Sequence, residues 1–164
     1  MRGISRRTVL HGALGTAVAA AVRPAFAKVS PIAGNLFQLG GFGGNVVALK
    51  TTDGVVLVDS GAAMSNSPLL DLVEEASGGR RVHTLFNTHW HLEQVGGNEA
   101  LGRAGANIVA HEKTRLRLAT PYYVPERDAY QAAMPVQAQP TESFYTTGST
   151  TIGGRGIVYG LLLG

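Results

Sequence analysis

His89, His91 and Glu93 follow one another at two-residue intervals within Asn87-Thr88-His89-Trp90-His91-Leu92-Glu93-Gln94-Val95-Gly96-Gly97-Asn98. In an extended chain alternate side chains project to the same side, so this spacing turns two imidazoles and a carboxylate towards one point. Neutral imidazole nitrogens can share one Zn²⁺ or a similar ion. A hydrolytic zinc site uses three protein ligands and an open position for water, so two histidines leave the set unfinished. Glu93 has three readings: a weak ligand, a general base towards a bound water, or an exposed turn residue. Beside a cation its carboxylate stays ionised, which suits proton acceptance, and Glu93 is the candidate catalytic residue. The bland reading of His89 and His91 is a pair of polar loop residues bonded to backbone groups. Thr88, Glu93 and the two glycines weigh towards metal ligation instead, whereas Trp90 reads as a packing residue beside the site.

Short apolar runs punctuated by glycine must position this segment. Leu36 to Leu39, Asn45 to Lys50 and Val55 to Val58 read as strands of a meander. The Asp53-Gly54 pair between the last two predicts a hairpin. Asp59-Ser60-Gly61 closes the third of these strands. A helix is expected from Pro68 to about Ser77, ended by Gly78-Gly79, with Leu69, Leu70, Leu72, Val73 and Ala76 as its apolar face and Asp71, Glu74 and Glu75 towards solvent. Arg80 and Arg81 read as solvated turn residues before a strand from Val82 to Asn87, which leads directly into the histidines. Beyond them the sequence predicts a short helix over Asn98 to Arg103, a strand from Asn107 ending at His111, and a helix over Glu112 to Ala119. Residues 126 to 143, interrupted by Pro135 and Pro140, read as a helix fragment and a long loop. Tyr122 and Tyr123 either line a cleft or pack that loop. The tail reads as a Thr- and Gly-rich turn region followed by one apolar strand, Ile157 to Leu163.

The beginning of the chain has a different character. Arg2, Arg6 and Arg7, the apolar stretch Val9 to Val22 and Ala25-Phe26-Ala27 read as an export signal over residues 1–27. Ser5-Arg6-Arg7-Thr8-Val9-Leu10 is similar to a twin-arginine signal. The expectation is an exported, periplasmic or secreted protein over residues 28–164, with no stable membrane anchor once the signal is removed. The formal charge of +3 comes from 14 Lys and Arg against 11 Asp and Glu. Four of those arginines lie in the signal (Arg2, Arg6, Arg7, Arg23), which leaves the remainder with one acidic group in excess. That removes the electrostatic case for a nucleic-acid partner and leaves a small-molecule substrate as the expected partner. With no cysteine, the chain has neither a disulfide framework nor thiolate ligands.

Val58-Asp59-Ser60-Gly61, the helix after it, and Asn87-Thr88-His89-Trp90-His91 with Gly96-Gly97-Asn98 resemble the metallo-β-lactamase superfamily of hydrolases, over about residues 34 to 115. The resemblance implies an α+β fold of αββα type, two mixed β-sheets between helices. It also implies a zinc-dependent hydrolysis in which a metal-activated water attacks an ester, amide or lactam, thioester or phosphoester. That family's hallmark is His-x-His-x-Asp-His followed by glycines. By this correspondence His89 and His91 match the first two histidines, Glu93 stands where Asp is usual and Gln94 where the third histidine is usual. Glutamate can ligate a metal, but a neutral carboxamide is a poor zinc ligand, so one ion is expected rather than two. Asp59 is either a strand-end cap or, as the resemblance implies, an outer-shell carboxylate orienting the metal loop; Gln94 is a second outer-shell candidate. Further ligands come from the later half of such a domain. His111 follows a strand at a position that the resemblance does not assign to a ligand, so it reads as a surface or supporting group. The expectation is therefore the first half of such a domain with an incomplete metal shell, either a hydrolase or a non-catalytic remnant or metal-binding accessory protein.

Overall fold

The structure is a computed structural model that describes residues 27–63 and 66–161; all of the expected export signal except Ala27 lies outside the described residues. Seven strands form one mixed sheet: β1 (Lys28–Ala33), β2 (Leu36–Gly40), β3 (Val46–Lys50), β4 (Val55–Val58), β5 (Val82–Asn87), β6 (Asn107–His111) and a later strand, Glu142–Phe144. Their order in the sheet is the order in the chain. The first three pairings are antiparallel and the last three parallel. Thr51 to Gly54 close the predicted hairpin, with Gly54 at φ 141°. The helices α1 (Asn66–Ser77), α2 (Leu92–Val95), α3 (Asn98–Arg103) and α4 (Glu112–Ala119) fall in the crossovers between parallel strands, as parallel pairing requires.

Strand alternation sorts the apolar residues onto two faces. Phe37, Leu39, Val46, Ala48, Val55, Leu57, Leu85 and Ile108 face Leu69, Leu72 and Val73 of α1 and Leu101 of α3, and most of them have no solvent exposure. Val56, Phe86 and Val109 lie on the opposite face, with Ile152, Ile157 and Tyr159 packed against them. β5 keeps this sorting through a register shift: Val55 pairs with Val82 but Val56 pairs with Thr84, so His83 is an extra residue and the strand is bulged there. Without the bulge Val82 and Leu85, three apart, could not share the helix-facing side.

Three regions depart from the expectation. Lys28–Ala33 is a strand that the sequence reading did not include. Residues 126 to 143 hold no α-helix: Tyr122–Val124 (β7) and Ala129–Gln131 (β8) pair as a hairpin, short 3₁₀ turns cover Pro125–Arg127 and Val136–Ala138, and Glu142–Phe144 (β9) extends the main sheet alongside β6. Tertiary pairing overrides the weak local pattern here, because β9 is three residues long and is held by its neighbour. The tail is a hairpin and not a turn region plus a lone strand: Thr147–Ile152 (β10) pairs with Arg155–Gly160 (β11) across Gly153-Gly154, both of positive φ. Threonines suit strands as well as turns. Among the described residues no helix is long and apolar enough to cross a membrane.

Candidate metal centre

Parallel strands deliver their carboxyl ends to one rim of the sheet, where sites of open α/β sheets form. Asp59 follows the end of β4 there, and Thr88 the end of β5. Asp59 has φ 60°, a left-handed conformation that Asp tolerates better than most residues, and it is 6% exposed. Its carboxylate accepts the Thr88 backbone N–H at 2.8 Å and the Thr88 hydroxyl at 2.7 Å. Burial pushes the Asp59 carboxyl up from its ordinary value, and the two Thr88 hydrogen bonds and then the His89 charge oppose the rise.

Thr88 Oγ1 also lies 2.9 Å from His89 Nδ1. A hydroxyl has one proton, and an ionised carboxylate can only accept. Thr88 therefore donates to Asp59 and accepts from His89 Nδ1–H, which leaves the lone pair of His89 on Nε2, free to hold a metal. This is the relay of outer carboxylate and imidazole by which metal-binding histidines are commonly oriented.

His89 and His91 meet edge to face, with centroids 4.7 Å apart. Glu93 does not continue an extended phase, since it stands in the first turn of α2. The turn nonetheless brings its Oε1 to 3.5 Å from His91 Nδ1. One ligand atom each from His89, His91 and Glu93 all lie within 4.8 Å of one another. Donors around one zinc at bonds of about 2 Å sit a little over 3 Å apart, so modest side-chain rotation closes the set. Two imidazoles and a carboxylate are a donor set that zinc accepts, and the residues present fit such an ion. His91 and Glu93 are each about half exposed (50% and 52%), which leaves room for water.

The loop is braced from below. Ser60 Oγ accepts the Gly97 N–H at 3.1 Å and lies 3.0 Å from Asn98 Oδ1, while Ser60 N–H donates to the Gln94 carbonyl at 2.7 Å. A Cβ on Gly96 would sit 2.1 Å from Ala63 N, and one on Gly97 2.7 Å from the Ser60 carbonyl oxygen; close backbone approach explains both glycines. The Gln94 carboxamide lies beside Gly44, where an added Cβ would be 2.9 Å from its Oε1, and Gln94 is not among the three clustered donors. His111 caps α4: its Nδ1 accepts the Lys113 N–H at 3.1 Å and its Nε2 lies 2.8 Å from the Tyr145 carbonyl. Both ring nitrogens are thereby engaged in structure.

A sequence model of the metallo-β-lactamase superfamily matches residues 39–159. The chain belongs to the metallo-β-lactamase superfamily. Solved structures agree in fold. A subclass B3 metallo-β-lactamase of Bradyrhizobium japonicum is 24% identical with a TM-score of 0.63, over 78% of this chain and 49% of its own. A Cronobacter sakazakii metallo-β-lactamase described by its HARLDQ motif is 24% identical with a TM-score of 0.65, over 77% and 51%. A class B3 di-zinc metallo-β-lactamase from an Alaskan soil metagenome is 19% identical with a TM-score of 0.64, over 77% and 48%. The chain thus spans about half the length of these proteins. No curated protein matches it significantly.

Beside this superfamily's histidine loop lies a group that the sequence reading missed. Arg117 of α4 sits over the rings of Trp90, 4.4 Å from the centroid, and Tyr122, 3.9 Å. The signal available was helical phase: Arg117 shares a face with Thr114 and Leu118, both buried, so its side chain turns inward. Trp90 is half-buried and also meets the His91 ring at 4.5 Å, which couples this corner to the donors. Both tyrosines line the cleft; Tyr122 joins this stack, while Tyr123 hydrogen-bonds Asp128 at 2.6 Å.

Proposed function

We propose that this chain is an exported metal-dependent hydrolase of the metallo-β-lactamase superfamily, with His89 and His91 holding one zinc ion and the Glu93 carboxylate beside it. The observation that carries the reading is the orientation of His89 by Asp59 through Thr88: a loop histidine without a metal role has no need of a buried carboxylate to set its tautomer. An ion at this place supplies two things, a lowered pKa for a water it binds and polarisation of the scissile carbonyl or phosphoryl oxygen.

The remaining work belongs to side chains of this chain. His89 presents Nε2 because Nδ1–H is spent on Thr88. His91 has its Nδ1 towards Glu93, so a proton there leaves Nε2 as its ligating nitrogen. The half-exposed Glu93 carboxylate is within reach of solvent and can take a proton from a water at the site, which is the catalytic part assigned to it. Asp59 is the outer carboxylate, and Gln94 supports the loop through its carbonyl on Ser60. The segment His89–Gln94 reads HWHLEQ and shares His, Leu and Gln, at its first, fourth and sixth positions, with the HARLDQ motif of the Cronobacter protein. A glutamine at the last position supports one ion over two.

Export is supported by the arginines, apolar stretch and Ala-x-Ala of residues 1–27, and a small-molecule substrate by the near-neutral charge of the remainder. The substrate class is an ester, amide or lactam, thioester or phosphoester. Zinc content per chain, measured by plasma emission after gel filtration, is expected to be one ion that a chelator removes and that is lost from the His89→Ala, His91→Ala double variant. Equal zinc in that variant would overturn the reading. Zinc without turnover of chromogenic ester or lactam substrates would leave a metal-binding accessory protein in place of the hydrolase.

A further inference from the structure

Next to His91 and Glu93 lies a cleft of about 470 Å³, bounded by Trp90, Leu92, Arg117, Tyr122 and Val124. Its chemistry is uneven. Much of the wall is aromatic or apolar, and of the two arginines that border it, Arg117 and Arg127, the first is set among the rings. Trp90 and Tyr122 meet edge to face at 78°, and the Arg117 guanidinium sits over both rings. Stacking of this kind satisfies the faces of a guanidinium but none of its N–H donors, which point outward in the plane. Among the described residues no carboxylate or carbonyl is hydrogen-bonded to Arg117, and its Nε is buried without a partner. The neighbouring arginine of α4 is a contrast, since Arg115 is bound bidentately by Glu112 at 2.5 and 2.7 Å. A buried donor without an acceptor is costly, and the terminal nitrogens of the same fork have no protein acceptor among the described residues, so they are free for an anion that enters from the cleft.

We infer that Arg117, held in this aromatic corner, is a specificity-determining residue that binds a carboxylate of the substrate, so that the site takes small molecules joining an apolar body to a single carboxylate. A planar fork of N–H donors matches a carboxylate bidentately. A dianionic phosphate is disfavoured because Glu93 and Glu126 border the same cleft. The cleft is continuous with His91 and Glu93, so a ligand anchored at Arg117 extends its other end towards the donor group. The assignment of this anion to the substrate rests on the hydrolase reading; the anion site itself does not.

Trp90 is the only tryptophan in the chain, so its emission reports on the corner directly, without turnover. The test is a titration of chelator-treated full chain with phenylacetate, and with phenylacetamide as the neutral counterpart, exciting at the red edge of tryptophan absorption. A saturable change with phenylacetate, at least about tenfold weaker with phenylacetamide and in Arg117→Gln, is expected. Equal affinity for the acid and the amide in the unmodified protein overturns the inference, and this comparison needs no variant to fold. Loss of binding in Arg127→Gln but not in Arg117→Gln also overturns it, by placing the anion on the other arginine bordering the cleft. Because metal is absent from the titration, its failure leaves the zinc measurement untouched, and failure of the zinc measurement leaves the anion site standing.

Discussion

At the scale of single residues the site depends on one carboxylate that touches no donor of the metal group except through Thr88. Replacing Asp59 with Asn keeps a residue that tolerates the left-handed backbone and keeps an acceptor for Thr88, but removes the charge that fixes the direction of the relay. Zinc affinity is expected to fall about 10- to 100-fold while the thermal midpoint changes little. Competition with a chromophoric chelator measures the first and circular dichroism the second; unchanged affinity would mean that Asp59 serves only as a strand cap. The spacing of His89, His91 and Glu93 was legible from the sequence because two-residue spacing needs no knowledge of the rest of the chain. Arg117 was not, because its partners Trp90 and Tyr122 lie 27 positions before and five after it, and helical phase in α4 turns it inward without showing which rings it meets.

Individual elements are joined to the site by a buried amide cluster. Asn98 is fully buried at the start of α3. Its Nδ2 donates to Asn87 Oδ1 at 2.8 Å and to the Ala138 carbonyl at 3.0 Å, and its Oδ1 accepts from Asn87 Nδ2 at 3.1 Å. One side chain therefore ties β5, α3 and the 3₁₀ turn at Val136–Ala138 together under the histidine loop. Asn98→Ala strands several buried polar groups at once and is expected to cost roughly 2–4 kcal/mol, read as a lowered urea midpoint. Asn98→Asp should not rescue it, since Asp lacks the two donors. The strands and helices from Leu36 to Ala119 were visible in periodicity and turn residues. The Ala138 contact was hidden because the stretch after Pro125 has no period of its own and takes its shape from α3 and β6. β9, β10 and β11 were hidden for a related reason: short strands rich in Thr and Gly are specified by their partners.

At the scale of the molecule, the described residues close one face of the sheet with helices and the other with the β10–β11 hairpin. Leu36, Val47, Leu49, Val58 and Phe86 line a groove of about 480 Å³ between that second face and the hairpin. Val158 on the hairpin's rim is 81% exposed, an arrangement of apolar surface that invites hydrophobic dyes and self-association. Val158→Lys is expected to lower the emission of bound anilinonaphthalene sulfonate and to reduce association in sedimentation velocity, while stability stays within about 0.5 kcal/mol. Dye emission that is unaffected would place the exposed surface elsewhere.

The extra residue in β5 sets the parity of everything that follows it. A regular strand that kept all of these residues, with no bulge at His83, would present each later side chain to the wrong layer, sending Asn87 away from Asn98 and Thr88 away from Asp59. One residue gained or lost between Thr84 and Asn87, a lesion of three nucleotides that removes no donor atom, would thus blind the relay and unfasten the amide cluster in a single stroke.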